Sequence, residues 1–132
     1  MKAKFKNLEH DTDPNNGIIV ETAASLIRLL ANLRSNVPFV AELQGDNGFQ
    51  LIFGIGDDFG CVEYERIDGE LPYLMAVSAQ RPMKNGDVEF LMGGTATPIS
   101  ARFILSFDEL QQIALHFLET GERSESVTWE SI

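Results

Sequence analysis

The sequence has little cysteine, little positive charge and no long apolar run, and each shortage excludes a class of protein. A single cysteine, Cys61, among 132 residues rules out an internal disulfide and a cysteine-built zinc cage, so any metal site must come from His and carboxylates. No segment approaches the roughly 18 to 20 apolar residues of a transmembrane helix, and the opening MKAKFKNLEHDTDP has no apolar core of the signal-peptide kind. A reducing cytoplasm is the expected compartment. Ten Lys and Arg stand against twenty Asp and Glu, a formal charge of −10. A protein that tracks phosphates needs clustered cations, so neither nucleic acid nor a membrane is an expected partner. A partner that carries positive charge fits better. No motif implies a cofactor.

What is present reads as one domain, residues 1–132, because no linker or repeat divides it and a chain of this length buries roughly two-thirds of its unfolded surface. Residues 1–17 carry Lys2, Lys4 and Lys6 and then a run of turn formers, His10 to Gly17. They are expected to be irregular or flexible, with residues 18–132 forming the globular core. Ile18 to Val20 is a short apolar piece suited to a sheet edge. From Glu21 to Ser35, Ala23, Leu26, Ile27, Leu30 and Leu33 fall on one stripe of a helix, which Asn36 and Pro38 then close.

The period then changes. Phe39, Ala41 and Leu43 alternate with polar neighbours, as do Phe49, Leu51, Phe53 and Ile55 beyond a Gly45-Asp46-Asn47-Gly48 turn, the pattern of a hairpin. Further strands are expected over Phe59 to Glu65, Tyr73 to Ala79, Val88 to Met92 and Ile99 to Leu105, separated by turns containing Gly56-Asp57-Asp58, Asp68-Gly69, Asn85-Gly86-Asp87 and Gly93-Gly94. Connections this short make the strands antiparallel. Ser106-Phe107-Asp108-Glu109 is a capping box, with Leu105 and Leu110 placed as its hydrophobic staple. The helix it starts buries Leu110, Ile113, Ala114, Phe117 and Leu118, and Gly121 suits a left-handed cap. Val127-Thr128-Trp129 alternates as a last strand. The fold class is therefore α+β: an antiparallel β-sheet of five to six strands with two helices packed on one face.

Candidate chemical groups are sparse. His116 sits beside the apolar stripe of the second helix, which suits a half-exposed structural histidine better than a general base. His10 has only Asp11 and Asp13 beside it for ligation, and Cys61 falls in a strand pattern as a small hydrophobe. Gly54-Ile55-Gly56 leads into a strand where a dinucleotide fold requires a helix, and Gly93-Gly94 has no Lys-Ser or Lys-Thr behind it. The sequence offers no catalytic, cofactor-binding or metal-ligating set.

The acids are unevenly spread. Between Asp57 and Glu89, eight carboxylates (Asp57, Asp58, Glu63, Glu65, Asp68, Glu70, Asp87 and Glu89) face only Arg66, Arg81 and Lys84, a local balance of −5. Glu63 and Glu65 should share a strand face, as should Asp87 and Glu89. Such a region is either a solvated sheet face or a negative patch that steers a basic partner. In the second reading Asp57, Asp58, Glu63, Glu65, Asp87 and Glu89 supply the face, with Tyr64 or Tyr73 as an aromatic anchor.

The second half of the chain resembles a known family. Phe107-Asp108-Glu109-Leu110 through Ala114, Phe117-Leu118-Glu119-Thr120-Gly121-Glu122-Arg123 and Val127-Thr128-Trp129-Glu130 look like the C-terminal signature of immunity protein family one, whose members accompany secreted polymorphic toxins in bacteria. Val88-Glu89-Phe90-Leu91-Met92-Gly93-Gly94 with Pro98 is similar to its aromatic strand and glycine turn. Where many members carry a Trp-rich strand and a Gly-His pair, this chain has Leu71-Pro72-Tyr73-Leu74 and Gly93-Gly94, as expected if those positions face a different toxin. The resemblance implies a non-enzymatic protein that occludes a toxin domain, often a nuclease or a nucleic-acid deaminase. It implies structural roles for the motif residues Gly93, Thr120, Gly121 and Trp129. Two other readings stay open: a ligand binder or enzyme with a pocket lined by Phe39, Phe53 and Phe90, and an accessory subunit that pairs, or self-associates, through an edge strand.

Overall fold

A computed structural model describes residues 1–78 and 86–132. Its strands are β1 (Ala3–Asn7), β2 (Ile19–Val20), β3 (Phe39–Gly45), β4 (Phe49–Ile55), β5 (Phe59–Arg66), β6 (Tyr73–Val77), β7 (Asp87–Met92), β8 (Thr95–Ser100), β9 (Leu105–Ser106) and β10 (Thr128–Ser131). Two helices, α1 (Ala23–Leu33) and α2 (Phe107–Thr120), complete the fold. The main sheet runs β10-β6-β5-β4-β3-β1-β2, with the β7–β8 hairpin attached to β3 and β9 attached to β5. All pairings are antiparallel except β3 with β7, which meet in parallel at Phe39 and Leu91.

The α+β class, the dominant antiparallel pairing and the two helices on one face agree with the sequence reading. The sheet is larger than the expected five to six strands, with ten among the described residues. Part of the excess comes from β1. Ala3, Phe5 and Asn7 alternate with Lys4 and Lys6, and this short period-2 segment pairs along its whole length with β3, so Ala3–Asn7 is a strand and not an irregular tail. The strand expected over Ile99 to Leu105 is also redrawn: β8 ends at Ser100, a 3-10 turn covers Ala101–Phe103, and β9 follows. Ala79 and Asn85, at the ends of two expected elements, lie outside the described residues, as do Arg81 and Lys84.

The helices form where their caps and stripes dictate. Ser106 Oγ accepts from the Glu109 amide at 3.1 Å while Glu109 Oε1 accepts from the Ser106 amide at 3.1 Å, which is the expected capping box. Helix α1 has an analogous box between Thr22 and Ser25. It buries Leu26, Leu29, Leu30 and Leu33, whereas Ala23 and Ile27 are exposed, so the stripe starts later and includes Leu29. These leucines and the α2 stripe pack with Phe5, Phe39, Ala41, Leu43, Leu51, Phe53, Ile55, Val62 and Ala76 in the main core. Each fully buried Leu, Ile, Val or Phe among them contributes about 1.5–3 kcal/mol of transfer free energy.

A second, smaller core lies on the other face. There the β7–β8 hairpin lays Phe90 over Gly54, with Val40, Phe59, Cys61, Met75 and Ile104 around it. A Cβ on Gly54 would sit 2.5 Å from Phe90 Cδ1, so only glycine lets the ring lie this close to the strand. The hairpin thus covers one end of the helix-free face and leaves the remainder uncovered by helix.

Candidate functional site

The rest of this face is defined by register, and its first row, through Ile52 and Met75, still borders the second core. Lys6, Glu42, Ile52, Glu63 and Met75 form one cross-strand row from β1 to β6, and Lys4, Gln44, Gln50, Glu65 and Tyr73 form the next. Their chain neighbours Phe5, Ala41, Leu43, Leu51, Phe53, Val62 and Tyr64 point the other way, into the main core. The face is therefore basic at its β1 edge and acidic at β5, with Glu42 between.

Its carboxylates form no ion pair among the described residues. No Lys or Arg nitrogen among the described residues lies within 4.0 Å of Glu42, Glu63 or Glu65; the ion pairs are Lys2–Glu21, Arg66–Asp68 and Arg102–Glu130. Burial, reinforced by the charge of Glu65, pushes the Glu63 carboxyl up to about 7. Burial also raises Glu42, opposed by Lys6 and reinforced by Glu65. Gln50 donates from Nε2 to Glu65 Oε1 at 2.7 Å. The same side chain is only 8% exposed, and its Oε1 has no hydrogen-bond partner among the described residues.

The residues expected at a partner surface separate into distinct places. Glu63, Glu65 and Tyr73 lie together on the helix-free face, with Tyr73 directly across from Glu65 and its hydroxyl donating to the Gly69 carbonyl. Asp87 and Glu89 are exposed on β7, alternating with the inward-facing Val88 and Phe90. Asp57 and Asp58 are exposed in the turn before β5, and Glu65 lies about 20 Å further along that strand. Tyr64 belongs to none of these. It is 4% exposed on the helix side, stacked on Phe49 and edge-on to Phe117 and Trp129, because its position in β5 has the opposite parity to Glu63 and Glu65.

The motif residues build the end of α2. Thr120 Oγ1 donates to the His116 carbonyl and accepts from the Glu122 amide, and Gly121 adopts φ +75° with its amide donating to the Phe117 carbonyl at 2.7 Å. The Gly121 carbonyl accepts from both Asn47 Nδ2 and the Tyr64 hydroxyl. Trp129 is half-buried, with its indole N–H donating to the Ser124 carbonyl at 2.8 Å. Gly93 and Gly94 both have positive φ in the two-residue β7–β8 turn, and the Gly93 amide donates to the Leu8 carbonyl.

Other sequence candidates do not converge. His10 is exposed, with its ring tilted against Phe39, and His116 is half-buried on α2. Cys61 is buried in the second core, where burial pushes its thiol up to about 12. No three His, Cys, Asp or Glu side chains among the described residues are placed to hold a metal ion. Phe39 and Phe53 face the helices whereas Phe90 lies on the opposite side of the sheet, so these three do not line a common pocket. Glu42, Gln44 and Gln50 join this face because they hold the polar parity of β3 and β4, opposite the apolar positions that mark those strands in the sequence.

The profile of the family described as Immunity protein Imm1 matches residues 15–131. No curated protein matches the sequence.

Proposed function

The chain belongs to the Imm1 family of immunity proteins, and from that premise we propose that it binds and neutralises a cognate secreted toxin domain and has no catalytic activity of its own. The match over residues 15–131 carries this reading. The toxin acts on nucleic acid, as a nuclease or a deaminase, and the chain meets it in the cytoplasm of the cell that makes both. A toxin that handles phosphates presents positive charge, and a protein of net charge −10 competes for that charge with fast, salt-sensitive association. The contact centres on Glu63, Glu65 and Tyr73, with Asp87 and Glu89 on the neighbouring hairpin and Asp57 and Asp58 as a separate acidic tip.

The test is genetic and then biochemical. The toxin domain encoded beside this gene is expressed in a susceptible cell with and without the chain, and the purified pair is weighed in solution. Survival only in the presence of the chain, with a stable complex of the two, is the expected result. Equal killing in both strains, or survival with no complex, would overturn the reading.

A further inference from the structure

We infer that Gln50, Glu63 and Glu65, with Glu42 beside them, form a receptor for an arginine side chain of the partner. Gln50 and Glu65 are direct cross-strand neighbours, Glu63 precedes Glu65 by two residues on the same face, and Glu42 lies across Ile52 from Glu63. Cross-strand neighbours are about 5 Å apart and diagonal or next-but-one neighbours about 7 Å. The three side chains therefore enclose a triangle of acceptors on the scale of one guanidinium.

Acidic side chains clustered on a surface are commonly a solvated face. Gln50 distinguishes this cluster. Its Nε2 is committed to Glu65, so its Oε1 is fixed as an acceptor in a position 8% exposed, with no donor among the described residues. A buried carbonyl left unpaired costs about 1–3 kcal/mol, and that loss is recovered when a donor arrives. Glu42, Glu63 and Glu65 also have no cation within 4.0 Å among the described residues. The Gln50 carbonyl calls for a donor, and the ionised carboxylates beside it favour a donor that carries positive charge.

Arginine answers these requirements better than lysine. Its guanidinium spreads N–H donors around a plane and is weakly hydrated, so one group bonds the Gln50 carbonyl and two carboxylates together; an ammonium is a compact point with a tighter water shell. Tyr73 lies directly across the strand pair from Glu65, next to the same position.

The inference rests on the toxin-binding reading only for the owner of the arginine, and its test does not need the toxin. The full chain, labelled for detection of the Gln50 side-chain amide and the glutamate carboxyl carbons, is titrated by NMR with N-acetyl-arginine methylamide and, separately, with the lysine analogue. Saturable shifts at Gln50, Glu63 and Glu65, with arginine about five-fold tighter than lysine, are expected. The double variant Glu63→Gln/Glu65→Gln, which preserves side-chain shape, should abolish them. Shifts spread evenly over the surface acids, equal binding of both probes, or titration unaltered by the double variant would each overturn the receptor. Arginine binding in a chain that fails to protect against the neighbouring toxin would instead remove the immunity reading and leave the receptor standing.

Discussion

The Tyr64 hydroxyl donates to the carbonyl of Gly121 at 3.2 Å, joining the middle of β5 to the residue that ends α2. This bond, with that from Asn47 to the same carbonyl, ties Thr120-Gly121 and Trp129 to one place in the fold. Thr120 and Gly121 stop the helix, the stop delivers a carbonyl to Tyr64, and the Trp129 ring closes against the tyrosine at 6.1 Å.

Gly121→Ala is expected to destabilise the fold by about 2 kcal/mol, since φ is +75° there and a Cβ would meet Asn47 Nδ2 at 2.4 Å. Tyr64→Phe, which removes only the hydroxyl, should cost about 1 kcal/mol. Urea unfolding of both variants measures the two values. A Gly121→Ala protein as stable as the parent would contradict the cap's role.

Gly54→Ala should cost about 1–3 kcal/mol by overpacking, because its Cβ would lie 2.5 Å from Phe90 and 2.8 Å from Cys61 Sγ. The damage should be local to the docked hairpin. Hydrogen exchange is expected to accelerate at β7 and β8 well before it does at β3 or β4.

Cys61 should not react with a thiol reagent in the native state at neutral pH, because it is buried and its thiol is pushed up to about 12. Labelling should appear only on unfolding. Native labelling as fast as that of a free cysteine would show that the second core opens.

Glu63 makes stability depend on pH. Its carboxyl is raised from 4.5 to about 7 in the folded chain, so between these values the folded state holds more proton than the unfolded one. Stability from this group is fully present below 4.5 and is lost as pH rises from there through about 7. Glu63→Gln should match the parent near about pH 4 and exceed it by about 1 kcal/mol near about pH 8, a figure reduced for solvent screening of a half-exposed group. The stability difference between the two proteins across that range is the measurement. A difference that does not change with pH would contradict the raised value.

Much of this fold was legible because local signals agreed with tertiary placement. The Phe39–Ile55 hairpin follows from alternation around one turn, and α2 from a capping box, a staple and a glycine cap. Strand β1 was hidden because it is short and its apolar positions alternate with lysines beside a run of turn formers. The site was legible only in part. Parity placed Glu63 with Glu65 but also placed Tyr64 behind them, and that distinction requires knowing which face the helices take. The first half of β5 is apolar on both faces, since Val62 meets the helices and Phe59 and Cys61 meet the hairpin, so its alternation did not reveal a side. Gln50 stands out by a carbonyl that is unpaired among the described residues, and only three-dimensional structure exposes that.

The central claim is that the helix-free acidic face meets the toxin. It is tested most directly by the association rate of the chain with the toxin domain encoded beside it, measured across a range of salt for the parent and for Glu42→Gln/Glu63→Gln/Glu65→Gln. The parent's rate should fall steeply with salt, and the variant's should be lower by about ten-fold at low salt with a flatter dependence. An unchanged rate and an unchanged salt slope in the variant would contradict it.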